Sequence, residues 1–123
     1  MNRLLVVEDD GVAANLVASL GEACGYDVRL CQNGDVGGVL EEWGPTLVAL
    51  DLVMPKVDGI EALNAIAKRG SSVPVVIITA YPDYLYLAER YAEARDISLV
   101  GSLVKPINVT QLQSLCLQFR SAA

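Results

Sequence analysis

The chain has 123 residues, of which 53% are hydrophobic and 20% charged, with no biased tract. That length suits one domain burying roughly two thirds of its unfolded surface, and the composition excludes a disordered chain. A net charge of −6 opposes binding of a phosphate backbone, and three cysteines without a single histidine lack the spacing of a zinc site.

Met1-Asn2-Arg3 leads into a short apolar run that Glu8-Asp9-Asp10 interrupts before a signal-peptide core would be complete. No apolar stretch is long enough to cross a bilayer, so a soluble, cytoplasmic protein with buried reduced thiols is expected. Residues 4–7, 28–31, 47–50, 73–78 and 103–104 are near-continuous Val, Leu and Ile, as strands covered on both faces are. Residues 13–24, 35–43, 60–68, 83–94 and 110–120 carry a helical period between them. In the last of these, Val109, Leu112, Cys116 and Phe119 recur at helical steps and predict one buried stripe. Gly25, Gly44-Pro45 and Gly70 follow the first three helices, and Pro82 suits the first turn of the fourth. Strict alternation of strand and helix predicts an α/β fold, a doubly wound parallel sheet with helices on both faces, whose ligands bind at the carboxyl ends of the strands. One domain over 1–123 is expected, with no repeat or linker.

Acidic residues fall where strands end: Glu8-Asp9-Asp10 after the first, and Asp51 after the third. Two like charges about 4 Å apart repel by roughly 4 kcal/mol at an effective dielectric of 20, so converging carboxylates must protonate, splay or hold a cation. Magnesium is the natural partner, since it prefers oxygen ligands and is held by one or two carboxylates plus phosphate oxygens. The competing role is helix capping, which fits Asp58 and is open for Asp10, whereas Glu8 and Asp9 are read as metal-binding. Thr79 and Lys105 close the fourth and fifth strands and point to the same crevice, where a hydroxyl and an ammonium offset charge on a transferring phosphoryl group.

Four segments together resemble the receiver domains of two-component response regulators, of the chemotaxis-regulator type: 4–10, 51–59, Thr79-Ala80 and Lys105-Pro106. The resemblance spans essentially the whole chain and implies the flavodoxin-like strand order 2-1-3-4-5. It implies that Asp51 takes a phosphoryl group from a sensor histidine kinase, a phosphotransfer protein or a small acyl phosphate. Asp9, Asp51 and the Val53 carbonyl would ligate Mg2+ (or Mn2+), with Glu8 acting through water. Thr79 and Lys105 would contact the phosphoryl group, and Lys105-Pro106 would be cis. The chain would then be a switch and not a turnover enzyme, either alone or at the front of a longer regulator with an output domain. A weaker similarity links 97–107 to receivers attached to EAL-type phosphodiesterases.

Two features depart from that family. The position three residues before the lysine, where receivers usually carry Tyr or Phe, is Ser102, so the aromatic readout is missing. The interval from Thr79 to Lys105 is about one helical turn longer than usual, and it holds Tyr81, Tyr84, Tyr86 and Tyr91. These tyrosines either pack the longer helix or leave a subset exposed as a surface for a homodimer or another partner through 83–105. A dehalogenase-type phosphatase would need a second aspartate where Val53 stands, and a flavodoxin-like cofactor binder would be repelled by Glu8-Asp9-Asp10. The remaining rival is a receiver fold used as a phosphorylation-independent interaction module, which Ser102 favours and the intact acidic site opposes.

Overall fold

Side chains alternate across a strand, so a parallel sheet whose strands are apolar at every position must be covered on both faces. The computed structural model, which describes residues 1–31, 36–52, 59–69 and 72–121, has this arrangement. In chain order the elements are β1 (Arg3–Val7), α1 (Gly11–Ala23), β2 (Asp27–Cys31), α2 (Val36–Trp43), β3 (Leu47–Asp51), α3 (Gly59–Lys68), β4 (Val75–Thr79), α4 (Pro82–Ala94), β5 (Leu99–Val104) and α5 (Val109–Gln118). The parallel sheet runs β2-β1-β3-β4-β5, the expected order.

Leu4 and Val6 of β1 join Leu47, Ala49, Val76, Ile78 and Leu103 on the face covered by Ala14 and Val17 of α1 and by Leu112 and Cys116 of α5. Leu5 and Val7 join Val48, Leu50, Val75 and Ile77 on the opposite face, under Leu63 and Ile66 of α3 and Ala88 and Ala92 of α4. Each fully buried aliphatic side chain contributes about 1.5–3 kcal/mol.

Local chemistry sets the helix ends. Asp10 is the N-cap of α1, its Oδ1 accepting the Val12 N–H at 3.0 Å, which settles the capping question in favour of Asp10. Asn108 caps α5 by accepting the Gln111 N–H at 3.0 Å, and Pro82 opens α4. Gly25, at φ 94°, takes the left-handed conformation that lets the chain turn from α1 into β2. At Gly21 an added Cβ would lie 2.5 Å from Leu4 Cδ2, so only glycine lets α1 approach β1 this closely.

Three expectations are corrected. β5 spans Leu99–Val104, not only 103–104, because Gly101 and Ser102 interrupt the apolar run while the backbone still pairs with β4. In α5, Val109 is exposed, and the stripe passes through Leu112, Leu115 and Cys116, with Phe119 partly buried. Of the two alternatives for the tyrosines, the exposed subset is the one found: Tyr81, Tyr84 and Tyr86 are exposed, and Tyr91 is half-buried. β4 also starts two residues late, at Val75, since Pro74 has no N–H for the ladder. The expected start of α2 at Asp35, the cap Asp58 and the stop Gly70 lie outside the described residues.

The cysteines Cys24, Cys31 and Cys116 are buried, as read from the sequence. Burial, with Cys24 alongside, pushes the Cys116 thiol up to about 11, keeping it protonated and unreactive. No helix among the described residues is long and apolar enough to cross a membrane. The two ends of the chain hold each other: Ser121 N–H donates to Asn2 Oδ1 at 2.7 Å, and Asn2 Nδ2 donates to Ser121 O at 3.4 Å.

Candidate functional site

The register of the sheet places the site. Val7 lies beside Leu50 and Asp51 beside Ile78, so Glu8, Asp51 and Thr79 emerge together at the carboxyl ends of β1, β3 and β4. Lys105 follows β5 directly, anchored by its N–H donating to Thr79 O at 2.8 Å. Glu8, Asp51 and Thr79 are buried, 3%, 4% and 0% exposed, which is rare for carboxylates without partners.

Glu8, Asp9 and Asp51 each present a carboxylate oxygen within 4.8 Å of the other two. Lys105 Nζ donates to Glu8 Oε1 and to Asp51 Oδ2, both at 3.0 Å. Glu8 Oε1 also accepts the Asp10 N–H at 3.2 Å. One ammonium thus faces three carboxylates, and the negative excess has a chemical cost. Burial, followed by the hydrogen bond to Asp51, pushes the Glu8 carboxyl up to about 7 from the ordinary 4.5. Burial works against the charge of Lys105, but hydrogen bonds to Asp51 and Glu8 outweigh it and raise its pKa. Three hard oxygen donors clustered around excess negative charge fit a small divalent cation that keeps some of its waters.

Thr79 is engaged differently. Its Oγ1 accepts the Tyr81 N–H at 3.0 Å, and the hydroxyl donates to Tyr81 O at 3.5 Å, tying the end of β4 to the N-cap of α4. The sequence reading missed this link, although a threonine three residues before the Pro82 helix start is the pattern of a hydroxyl-closed turn. The Lys105 ammonium bridges two carboxylates, Glu8 and Asp51. Glu8, Asp9, Asp51, Thr79 and Lys105 are brought to one end of the sheet, while Val53 lies outside the described residues. The Lys105-Pro106 peptide is cis. Ser102, opposite Ile77 on β5, is exposed and supplies no aromatic ring.

A family model for the response regulator receiver domain matches residues 4–116. The chain belongs to the response regulator receiver family. This receiver domain is 36% identical over 115 residues to the DNA-binding dual master transcriptional regulator RpaA of Synechocystis sp., an alignment covering 91% of the chain and 46% of that protein. It is likewise 36% identical over 113 residues to the uncharacterized transcriptional regulatory protein YkoG of Bacillus subtilis, covering 89% of the chain and 46% of that protein. The receiver domain therefore spans about half the length of these relatives, whose names describe whole proteins. Among solved structures, the N-terminal domain of an uncharacterized protein from Wolinella succinogenes superposes with a TM-score of 0.83 at 25% identity, covering 98% of this chain and 94% of that one. The Vibrio cholerae chemotaxis protein CheY4 superposes with a TM-score of 0.80 at 21% identity over 98% of this chain and 99% of that one, a likeness of fold alone.

Proposed function

We propose that this receiver domain accepts a phosphoryl group on Asp51 from the phosphohistidine of a sensor kinase or phosphotransfer protein, or from a small acyl phosphate. The observation that carries the reading is the pair of 3.0 Å contacts from Lys105 to Asp51 and Glu8 beside Asp9. An Asp51 carboxylate oxygen attacks phosphorus in line with the leaving group. The P–N bond to histidine, or the P–O bond to the acyl group, breaks as the new P–O bond forms, and the leaving group keeps the electron pair. The chain has no histidine and cannot be the phosphohistidine donor.

The transferred oxygens gather negative charge in a pocket that is already acidic, so the reaction needs positive partners placed in advance. Lys105 is one such partner, within reach of the acceptor before any phosphate arrives. Asp9 and Asp51, with the carbonyl of Val53, would hold Mg2+ or Mn2+, and Glu8 would act through a bound water. When bound, the metal neutralises charge shared between the carboxylates and the phosphoryl oxygens. Thr79 supplies a hydroxyl donor once it leaves Tyr81. Val53 stands two residues after Asp51, where a phosphatase turning over external substrates would carry its second aspartate, and this supports reading the domain as a switch. Its output lies in a partner or an attached domain.

Ser102 favours a second reading, in which the fold serves as an interaction module regardless of phosphorylation. Incubation with Mg2+ and acetyl phosphate separates the two. Intact mass should show one phosphoryl adduct, stable to acid and labile to base, that is lost in Asp51→Asn and on metal chelation. No adduct on the native protein, or an adduct that survives Asp51→Asn, would overturn the assignment.

A further inference from the structure

We propose that two copies of this chain join edge to edge through β2, the strands antiparallel and two-fold about Val28, so that their sheets become one. β2 is an edge of the sheet and pairs with β1 alone. Two bonds fix which of its backbone groups are used: Asp27 N–H donates to Asn2 O at 2.9 Å, and Cys31 O accepts the Glu8 N–H at 3.3 Å. In a parallel pair a residue sends both its N–H and its C=O to one neighbour, and the next residue sends both the other way. Asp27, Arg29 and Cys31 therefore serve β1, while Val28 and Leu30 turn theirs outward. The other edge is blunted, since β5 shifts register against β4 at Val75/Val76 and continues through Gly101 and Ser102. β2 keeps an unbroken register, contains no Pro, Gly or Lys, and leaves Leu30 43% exposed. A regular edge of this kind is a template for another strand.

Charge selects a second copy as the occupant and sets the register. β2 carries one acid and one base, Asp27 and Arg29, which share the side of the sheet that α2 covers. The Arg29 guanidinium lies 4.9 Å from the centroid of the Trp43 ring, which orders it in advance. In an antiparallel pair centred on Val28, a residue n places before the centre meets the second copy's residue n places after it. The two Val28 residues then exchange a pair of N–H···O bonds. Asp27 faces Arg29 of the second copy at a non-hydrogen-bonded position, where opposed side chains lie closest. Each contact is made twice, as a two-fold interface requires. On the α1 side the two Val28 side chains meet, with Leu30 diagonal to them. A register centred on Arg29 would set guanidinium against guanidinium and leave Asp27 opposite Cys31.

A chain of net charge −6 repels its own copies, and a strand whose charges balance is a place where contact costs least. One strand edge lies at the small end of stable interfaces, and the dimer is correspondingly weak and concentration-dependent. Its two-fold axis stands normal to the sheet, so the two Asp51 sites point to opposite ends of the joined sheet. The pairing does not depend on the chemistry at Asp51.

Sedimentation velocity on the native chain across a wide concentration range should show monomers giving way to dimers. Over the same range, residue-resolved hydrogen exchange should slow at least several-fold at the Val28 amide and stay unchanged at the Ser102 and Val104 amides of β5. Val28→Pro removes the outward N–H without taking a bond from β1, so it should stay monomeric with a native circular dichroism spectrum. Arg29→Asp should weaken the dimer at least several-fold, and adding Asp27→Arg to it should restore the native association. A native chain that remains monomeric throughout, a Val28 amide whose exchange ignores concentration, slowing confined to β5, or a charge swap that fails to restore pairing would each overturn the proposal.

Discussion

Glu8 holds its proton up to about 7 in the folded chain, whereas an exposed glutamate releases it near 4.5. Between those values the folded state binds a proton that the unfolded state has lost, so the metal-free protein should lose stability as pH rises through this window. Urea midpoints compared at about pH 5 and about pH 8 should fall toward the higher pH, and Glu8→Gln should flatten the dependence. Lys105 acts in another range: with its pKa raised above 10.5, its contribution is lost only in strong alkali. Excess Mg2+ should flatten the slope as well, by favouring the ionised carboxylates. The identity of these residues was legible in the sequence, because acids, a threonine and a lysine at strand ends stand out against apolar runs. What Lys105 and Thr79 touch was not legible. Side-chain direction depends on which neighbours compete for it, and Tyr81 backbone groups two residues away hold the Thr79 hydroxyl.

At the scale of elements, close approach of helix to sheet is the sensitive quantity. A Cβ at position 21 would press on the side-chain end of Leu4, itself 1% exposed, while a Cβ at position 11 meets nothing within 4 Å. Gly21→Ala should therefore cost about 1–3 kcal/mol through overpacking, which exceeds the helix propensity it gains. Gly11→Ala should be neutral or mildly stabilising, and thermal melts of the pair check the contrast. Elements buried on both faces were easily read, since β1, β3 and β4 are runs of Val, Leu, Ile and Ala. The edges were harder. β5 shows mixed burial, and its Gly101 lies where Leu115 leaves no room for a side chain, a constraint that hydropathy does not register. The exposed tyrosines of α4 posed the same difficulty, because an aromatic residue at helical spacing looks alike whether it faces a core or a partner.

Taken whole, the molecule follows from one simple fact of its order. Five strand-helix units in strict alternation with parallel strands leave few topologies once crossovers are right-handed, and the resemblance to receiver domains picked out the 2-1-3-4-5 order that the sheet has. Sequence order and spatial order part company at the ends of the chain, where Asn2 and Ser121 are hydrogen-bonded to each other across the full length of the sequence. A short linker could join them without strain and leave the sheet untouched. A circularly permuted chain, closed there and opened at exposed Asp96 between α4 and β5, should give the native circular dichroism spectrum with a modestly lower melting temperature. The position of the first residue would then be a matter of covalent bookkeeping, and the surface around Asp96 would become a place where another protein could be spliced in.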